Sequence, residues 1–165
     1  MVFVIAYILG VFKLTVIAFL SVTLYRAFSG GVHAKTHIAC IISTNLFYIG
    51  NVFLSKWLVY DNEIIKYILI LGVWIFSMIM IKLYAPADTE NLPILRKKER
   101  RNKKILSYIS MTATLIIAAF VKDSVISNIM IFGILFQTIL ITRFVYKITN
   151  NRYGHEVYEQ ENLIN

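Results

Sequence analysis

Five apolar runs set the limits on what this chain can fold into. They cover residues 2–25, 38–60, 64–84, 105–121 and 125–146, and short polar stretches separate them. At about 1.5 Å of rise per helical residue, runs of this kind cross a bilayer, the fourth being on the short side. The chain has 165 residues, 58% of them hydrophobic, and a mean hydropathy of +0.69. A soluble domain of this size has no core large enough to hide so much Ile, Leu, Phe and Val. The expected fold is therefore an all-α integral membrane protein with about five transmembrane helices. Residues 1–147 form one polytopic membrane domain and residues 148–165 a polar C-terminal tail. No basic residue precedes the first run, and the run is too long for a signal-peptide core, so it reads as a retained span.

Charge gives the topology. The formal net charge is +8, from 17 Lys and Arg against 9 Asp and Glu. Seven of those basic residues fall within Arg96–Lys104, read here as a loop between spans. A basic loop belongs on the cytoplasmic side and faces anionic lipid, which accounts for the charge without nucleic acid. Counting back, the 61–63 turn is outside and residues 26–37 are cytoplasmic, with Arg26 and Lys35 in agreement. Counting forward, the 122–124 turn is outside and the tail inside. Pro86 and Pro93, the two prolines of the chain, stop the third span and stiffen its exit.

Polar groups inside the spans are few. Lys13 lies near the middle of the first run; an intramembrane lysine is a functional candidate by default, and otherwise it faces a protein interior or a dimer contact or snorkels through a bilayer defect. Asn45 and Asn51 in the second run, and Gln137 in the fifth, call for partners on other helices. Such groups in so small a chain make a homodimer a plausible assembly.

The chemistry-bearing stretch is Ser29-Gly30-Gly31-Val32-His33-Ala34-Lys35-Thr36-His37-Ile38-Ala39-Cys40. It holds the single cysteine and two of the three histidines. One cysteine excludes an intrachain disulfide and a multi-cysteine metal site; it is either a buried filler or a reactive thiol. A thiol nucleophile needs a base. In a continuous helix His37, three residues before Cys40, shares its face. His33, seven before, is two turns or about 10.8 Å away. Helical geometry thus favours His37, and His33 serves only where the chain bends. Gly30-Gly31 makes such a bend cheap. Two histidines at i, i+4 can also bind zinc, but no acidic residue nearby completes that site. No cofactor is expected.

The stretch Gly30–Cys40 resembles the active-site segment of AgrB-type proteins, the accessory gene regulator peptidases, with Gly-x-His-Ala followed by a cysteine seven residues after the histidine. Tyr84–Ile94 resembles the second signature of that family, an Ala-Pro-Ala-x-Thr segment leading to Pro-Ile and a basic loop. The resemblance runs from residue 1 to about 147. It implies a membrane-embedded cysteine endopeptidase of the bacterial cell membrane, with its site on the cytoplasmic side. The implied substrate is an AgrD-type precursor peptide that yields a cyclic quorum-sensing signal. Carried over by position, Cys40 is the nucleophile and His33 the general base, which makes a bend between them an expectation. Asp88 is a candidate to orient His33. Family members usually begin with a further, partly amphipathic segment, whereas this sequence opens directly in an apolar run. The competing readings are a small transport subunit, with Lys13, Asn45, Asn51 and Gln137 along a path, and a non-catalytic scaffold.

Overall fold

The computed structural model describes residues 1–34, 36–59, 62–90 and 92–158. Lys35, Asp61 and the tail beyond residue 158 therefore lie outside the described residues. Among the described residues the helices follow in the order α1 (Val2–Ile8), α2 (Phe12–Ser29), α3 (His37–Trp57), α4 (Glu63–Tyr84), α5 (Lys97–Phe120), α6 (Ser124–Leu140) and α7 (Arg143–Ile148). Helices α2 to α5 are each long and apolar enough to cross a membrane, and α6 is an apolar helix of 17 residues. The all-helical, multi-pass architecture expected from the apolar runs is thus the observed one.

Three boundaries differ from the sequence expectation. The first run is broken: Leu9 and Gly10 end α1, and Gly10 takes a φ of +68°, where glycine carries no side-chain penalty. Lys13 consequently sits exposed in the first turn of α2 instead of midway along a span. The basic run is not a loop. Lys97–Lys104 form the first turns of α5, because Lys, Arg and Glu are good helix formers once a helix has somewhere to go. The fifth run ends at Leu140, and Arg143 opens the separate helix α7.

Local chemistry explains the turns. Asn62 accepts from the Ile64 amide at 2.9 Å and starts α4. Asp123 accepts from the amides of Val125 and Ile126 and starts α6. Successive long helices run antiparallel. The α3–α4 connection meets the α5–α6 turn at one end, where Asn128 Nδ2 donates to Leu58 O and Lys66 Nζ to Val121 O. At the other end lie residues 30–34, 36, 85–90, 92–96 and 141–158.

α6 is the central helix, packing on α2, α3, α4 and α5. Its buried surface is close-fitting. A Cβ built on Gly133 would lie 2.6 Å from Val22 Cγ2, so α2 and α6 approach as closely as glycine permits. Polar groups at depth pair between helices. Thr138 donates to Ile134 O and accepts from Tyr25 of α2 at 2.9 Å and Ser77 of α4 at 2.8 Å. Asn51 of α3 donates to Ile129 O of α6. Asn45 departs from the expectation of a partner on another helix, since it donates to Ile41 O of its own helix.

Candidate active site

Residues 30–34 leave α2 in an open conformation, and α3 begins only at His37, where the Thr36 hydroxyl accepts from the Ala39 amide. Gly30 and Gly31 make the exit, with φ of +72° and +135°. Gly30 is also an obligate contact: a Cβ there would stand 2.2 Å from Ala87 O. The close approach lets two backbone bonds form. The Ala87 amide donates to Ser29 O at 2.8 Å, and the Gly31 amide donates to Ala87 O at 2.9 Å. The His33 loop and the Ala85–Ile94 loop are thereby laced together.

Side chains complete the cradle. Gln137, fully buried on α6, donates to Gly30 O at 2.7 Å and Ser29 Oγ at 3.1 Å, and its Oε1 accepts from Arg26 at 2.8 Å. Arg26 also reaches Val32 O at 3.4 Å. Asn151, beyond α7, donates to His33 O at 3.1 Å. Tyr146 donates to the Ala87 and Asp88 carbonyls, each at 3.0 Å, and stacks on Tyr153 at 4.2 Å. The backbone of the His33 loop is thus held by α2, α6, the Ala87 loop and the C-terminal segment.

Asp88 is not the partner of His33. Its carboxylate has no solvent exposure and is fully engaged elsewhere. Oδ1 accepts from His155 Nδ1 at 2.7 Å; Oδ2 accepts from the amides of Ile94 at 2.9 Å and His155 at 3.0 Å, with Arg100 at 3.4 Å. His155 Nε2 in turn accepts from Arg100 at 3.3 Å. Both ring nitrogens are used, which fits the neutral Nδ1–H tautomer and a structural clasp.

His33 stands where two cavities meet. One, of about 490 Å³, is lined by Arg26, Gly31, His33, Asp88 and Lys103. The other, of about 750 Å³, is a mainly apolar groove whose lining includes Phe19, His33, Ser43, Thr44, Phe47 and Phe136. The His33 ring is at the exposed rim, yet loss of water against the groove wall, and then the charge of Arg26, lower its pKa. Such a histidine is neutral and able to accept a proton at neutral pH.

Cys40 is a free, exposed thiol in the first turn and a half of α3. It sits one turn before Ser43 and Thr44, whose hydroxyls both donate to its carbonyl. Cys40 itself lines neither cavity. Among the described residues no hydrogen bond joins the side chains of His33, His37 and Cys40. The His33 loop thus borders a groove whose lining along α3 begins at Ser43, one turn beyond Cys40, and the side chains of His33 and Cys40 are not joined.

The accessory gene regulator B family matches residues 1–141 of the sequence. This chain belongs to that family. AgrB-like proteins of Clostridium acetobutylicum and Listeria monocytogenes are each 30% identical to it, the first over 98% of this chain and 75% of its own length, the second over 94% and 74%. The accessory gene regulator protein B of Staphylococcus epidermidis is 30% identical over 81% of this chain and 66% of its own length. No solved structure matches the chain. Membership places the chain among the accessory gene regulator proteins of quorum sensing, as a multi-pass membrane protein.

The sequence singled out Gly30–Cys40 and Tyr84–Ile94, and the structure joins them through Gly30, Gly31 and Ala87. It missed His155 and Asn151, which lie past the apolar runs where no pattern singled them out. Gln137 stood out as a polar residue in a span, but nothing showed that it holds the Gly30 carbonyl. The four polar residues suited to a transport path do not converge: Lys13 is exposed at the start of α2, and Asn51 and Gln137 are bound into helix contacts.

Proposed function

We propose that this chain is a membrane-embedded cysteine endopeptidase. It cleaves the C-terminal part of an AgrD-type precursor peptide through a thioester on Cys40. The observation that carries the reading is the placement of His33, a neutral imidazole on a braced loop, at the rim of the groove that runs along α3 from Ser43, one turn beyond Cys40.

In this reaction His33 takes the Cys40 proton, and the thiolate attacks a backbone carbonyl of the precursor. The amides of His37 and Ile38 open α3 and have no acceptor among the described residues, so they are the nearest donors for the oxyanion. The tetrahedral intermediate collapses as His33 gives its proton to the leaving amine. The C-terminal fragment departs and the N-terminal part remains as a thioester. A thiol or hydroxyl within the peptide then displaces Cys40, closing a thiolactone or lactone and returning the thiol. Exchange of one thioester for another is nearly isoenergetic, so the ring closes without nucleotide hydrolysis, provided water is kept from the acyl-enzyme. The two side chains come together when peptide fills the groove, since catalytic hydrogen bonds are commonly loose before substrate binds.

The site faces the cytoplasm in this reading. Arg26, the Arg96–Lys104 run, Arg143, Lys147 and Arg152 gather at the end that carries the site, and the positive-inside rule puts that end inside.

Co-expression of an AgrD-type precursor with the wild type and with Cys40→Ser, His33→Ala and His37→Ala tests the assignment. Mass spectrometry should find the shortened peptide with the wild type and His37→Ala and lose it with the other two. Processing that survives Cys40→Ser would sink the peptidase reading.

A further inference from the structure

We propose that the cleft between the end of α4, the start of α5 and the C-terminal segment is a binding site for the headgroup of an anionic phospholipid. The cleft has a volume of about 300 Å³ and is lined by Arg100, Arg101, Lys104, Arg143 and His155, with Glu156 as the one carboxylate. These cations are not equally free. Arg143 is paired with Glu156, and Arg100 is turned toward Asp88 and His155. Lys104 touches only a carbonyl, donating to Lys82 O, and Arg101 has no carboxylate partner among the described residues. Among the described residues two positive side chains therefore line the cleft without a carboxylate partner, and an anion is their natural complement.

What selects a lipid over a free phosphate is the wall below. Tyr84 and Pro86 line the cleft with Leu83, which is 60% exposed. Leu83 is the top of a ridge on α4. Leu71, Ile75 and Ile79 precede it at four-residue spacing, and all are exposed. The ridge is about 18 Å long at the helical rise per residue. A phosphodiester held by Arg101 and Lys104 would thus have its acyl chains on a continuous apolar track in the hydrocarbon region. Basic pockets at the ends of membrane helices suit acidic headgroups for this reason. The inference stands independently of the peptidase reading, because neither Cys40 nor His33 takes part in it.

The full chain, purified in neutral detergent, is titrated with phosphatidylglycerol and separately with phosphatidylcholine, and bound lipid is followed by native mass spectrometry. Phosphatidylglycerol should be retained under activation that strips phosphatidylcholine. The pair Arg101→Gln and Lys104→Gln should weaken that retention by about tenfold or more, at roughly 1 kcal/mol for each basic residue lost. Arg101→Gln alone removes an exposed side chain from no pairing and should weaken it by about fivefold with an unchanged melting temperature. The pair Lys97→Gln and Lys98→Gln removes the same charge from the same helix outside the cleft and should leave retention unchanged. Equal weakening by both pairs would show diffuse attraction and overturn the site. Displacement of the lipid by an equal concentration of inorganic phosphate would overturn the role given to the α4 ridge.

Discussion

Asp88 and His155 are joined by a 2.7 Å bond between carboxylate and imidazole across 67 positions of sequence. The carboxylate is wholly buried, and the bond closes the C-terminal segment over the loop that is laced to Gly30 and Gly31. His155→Ala leaves the Asp88 carboxylate one strong donor short. A buried polar group deprived of a partner costs about 1–3 kcal/mol. The loss should appear locally first, as faster tryptic cleavage at Arg152, and as a lower melting temperature. His155→Gln, whose amide can donate to the same oxygen, should recover part of both. Unchanged cleavage at Arg152 in His155→Ala would show that the clasp does not hold the segment.

Gly30 is placed to fail by geometry alone. A methyl group there meets the Ala87 carbonyl at 2.2 Å and demands a φ that L-residues rarely adopt. Backbone cannot step aside as a flexible side chain can, so Gly30→Ala should part the two loops. A displacement of about 1 Å at a catalytic base lowers rate by roughly 100-fold. Peptide cleavage by Gly30→Ala should fall by about that factor. Gly31→Ala carries backbone strain, but its nearest contact is an ordinary 3.5 Å, so its loss should be the smaller. Equal rates for Gly30→Ala and the wild type would contradict the lacing of the loops.

The fold was legible where the physics is local and the site only in part. Apolar runs mark helices that lie in lipid, so α3 and α4 fall within a few residues of the runs that announced them. Lys97–Lys104 misled because hydropathy measures affinity for the bilayer and not helicity, and a charged helix can extend a span beyond it. The break at Gly10 misled for the opposite reason: both sides are apolar, so a single glycine at positive φ carries no signal against them. The Gly30–Cys40 stretch was recognisable because its residues are contiguous. His155 and Asn151 were not, and Gln137 stood out only as a polar residue in a span, because their roles arise from hydrogen bonds to residues 67, 118 and 107 positions away. Asp88 illustrates the difference: it is a candidate to orient His33 by sequence, but its carboxylate serves His155.

Gln137 links three elements through one amide. Its two ends hold the Gly30 carbonyl and the Arg26 guanidinium, one as donor and one as acceptor. Gln137→Leu keeps the approximate volume and strands both. Polar contacts within membrane bundles are individually modest, but one partner here is charged and the site is fully buried, so a cost of about 2 kcal/mol is expected. Thermal unfolding in detergent should register it. Gln137→Glu can still accept from Arg26 but cannot, when ionised, donate to Gly30 O. It should therefore keep more stability than Gln137→Leu while losing peptide cleavage. Full cleavage by Gln137→Leu would remove this residue from the bracing of the loop.

The environment of His33 fixes the direction of its pH dependence. Partial loss of water, then the nearby Arg26 charge, favour the neutral ring and lower its pKa. The folded value thus lies below the ordinary one of about 6.5. Between the two, as pH falls, the unfolded chain takes up the proton before the folded one does. Stability attached to this group is accordingly complete above the unfolded value and is lost as pH drops toward the folded one. The same shift keeps the base unprotonated further into acid, so the acidic limb of kcat/KM for peptide cleavage should lie below the ordinary histidine range. Arg26→Gln removes the second cause and should move that limb upward. His37→Ala should leave it in place, since His37 is not the base in this scheme. An acidic limb that follows His37→Ala and ignores Arg26→Gln would transfer the general-base role from His33 to His37.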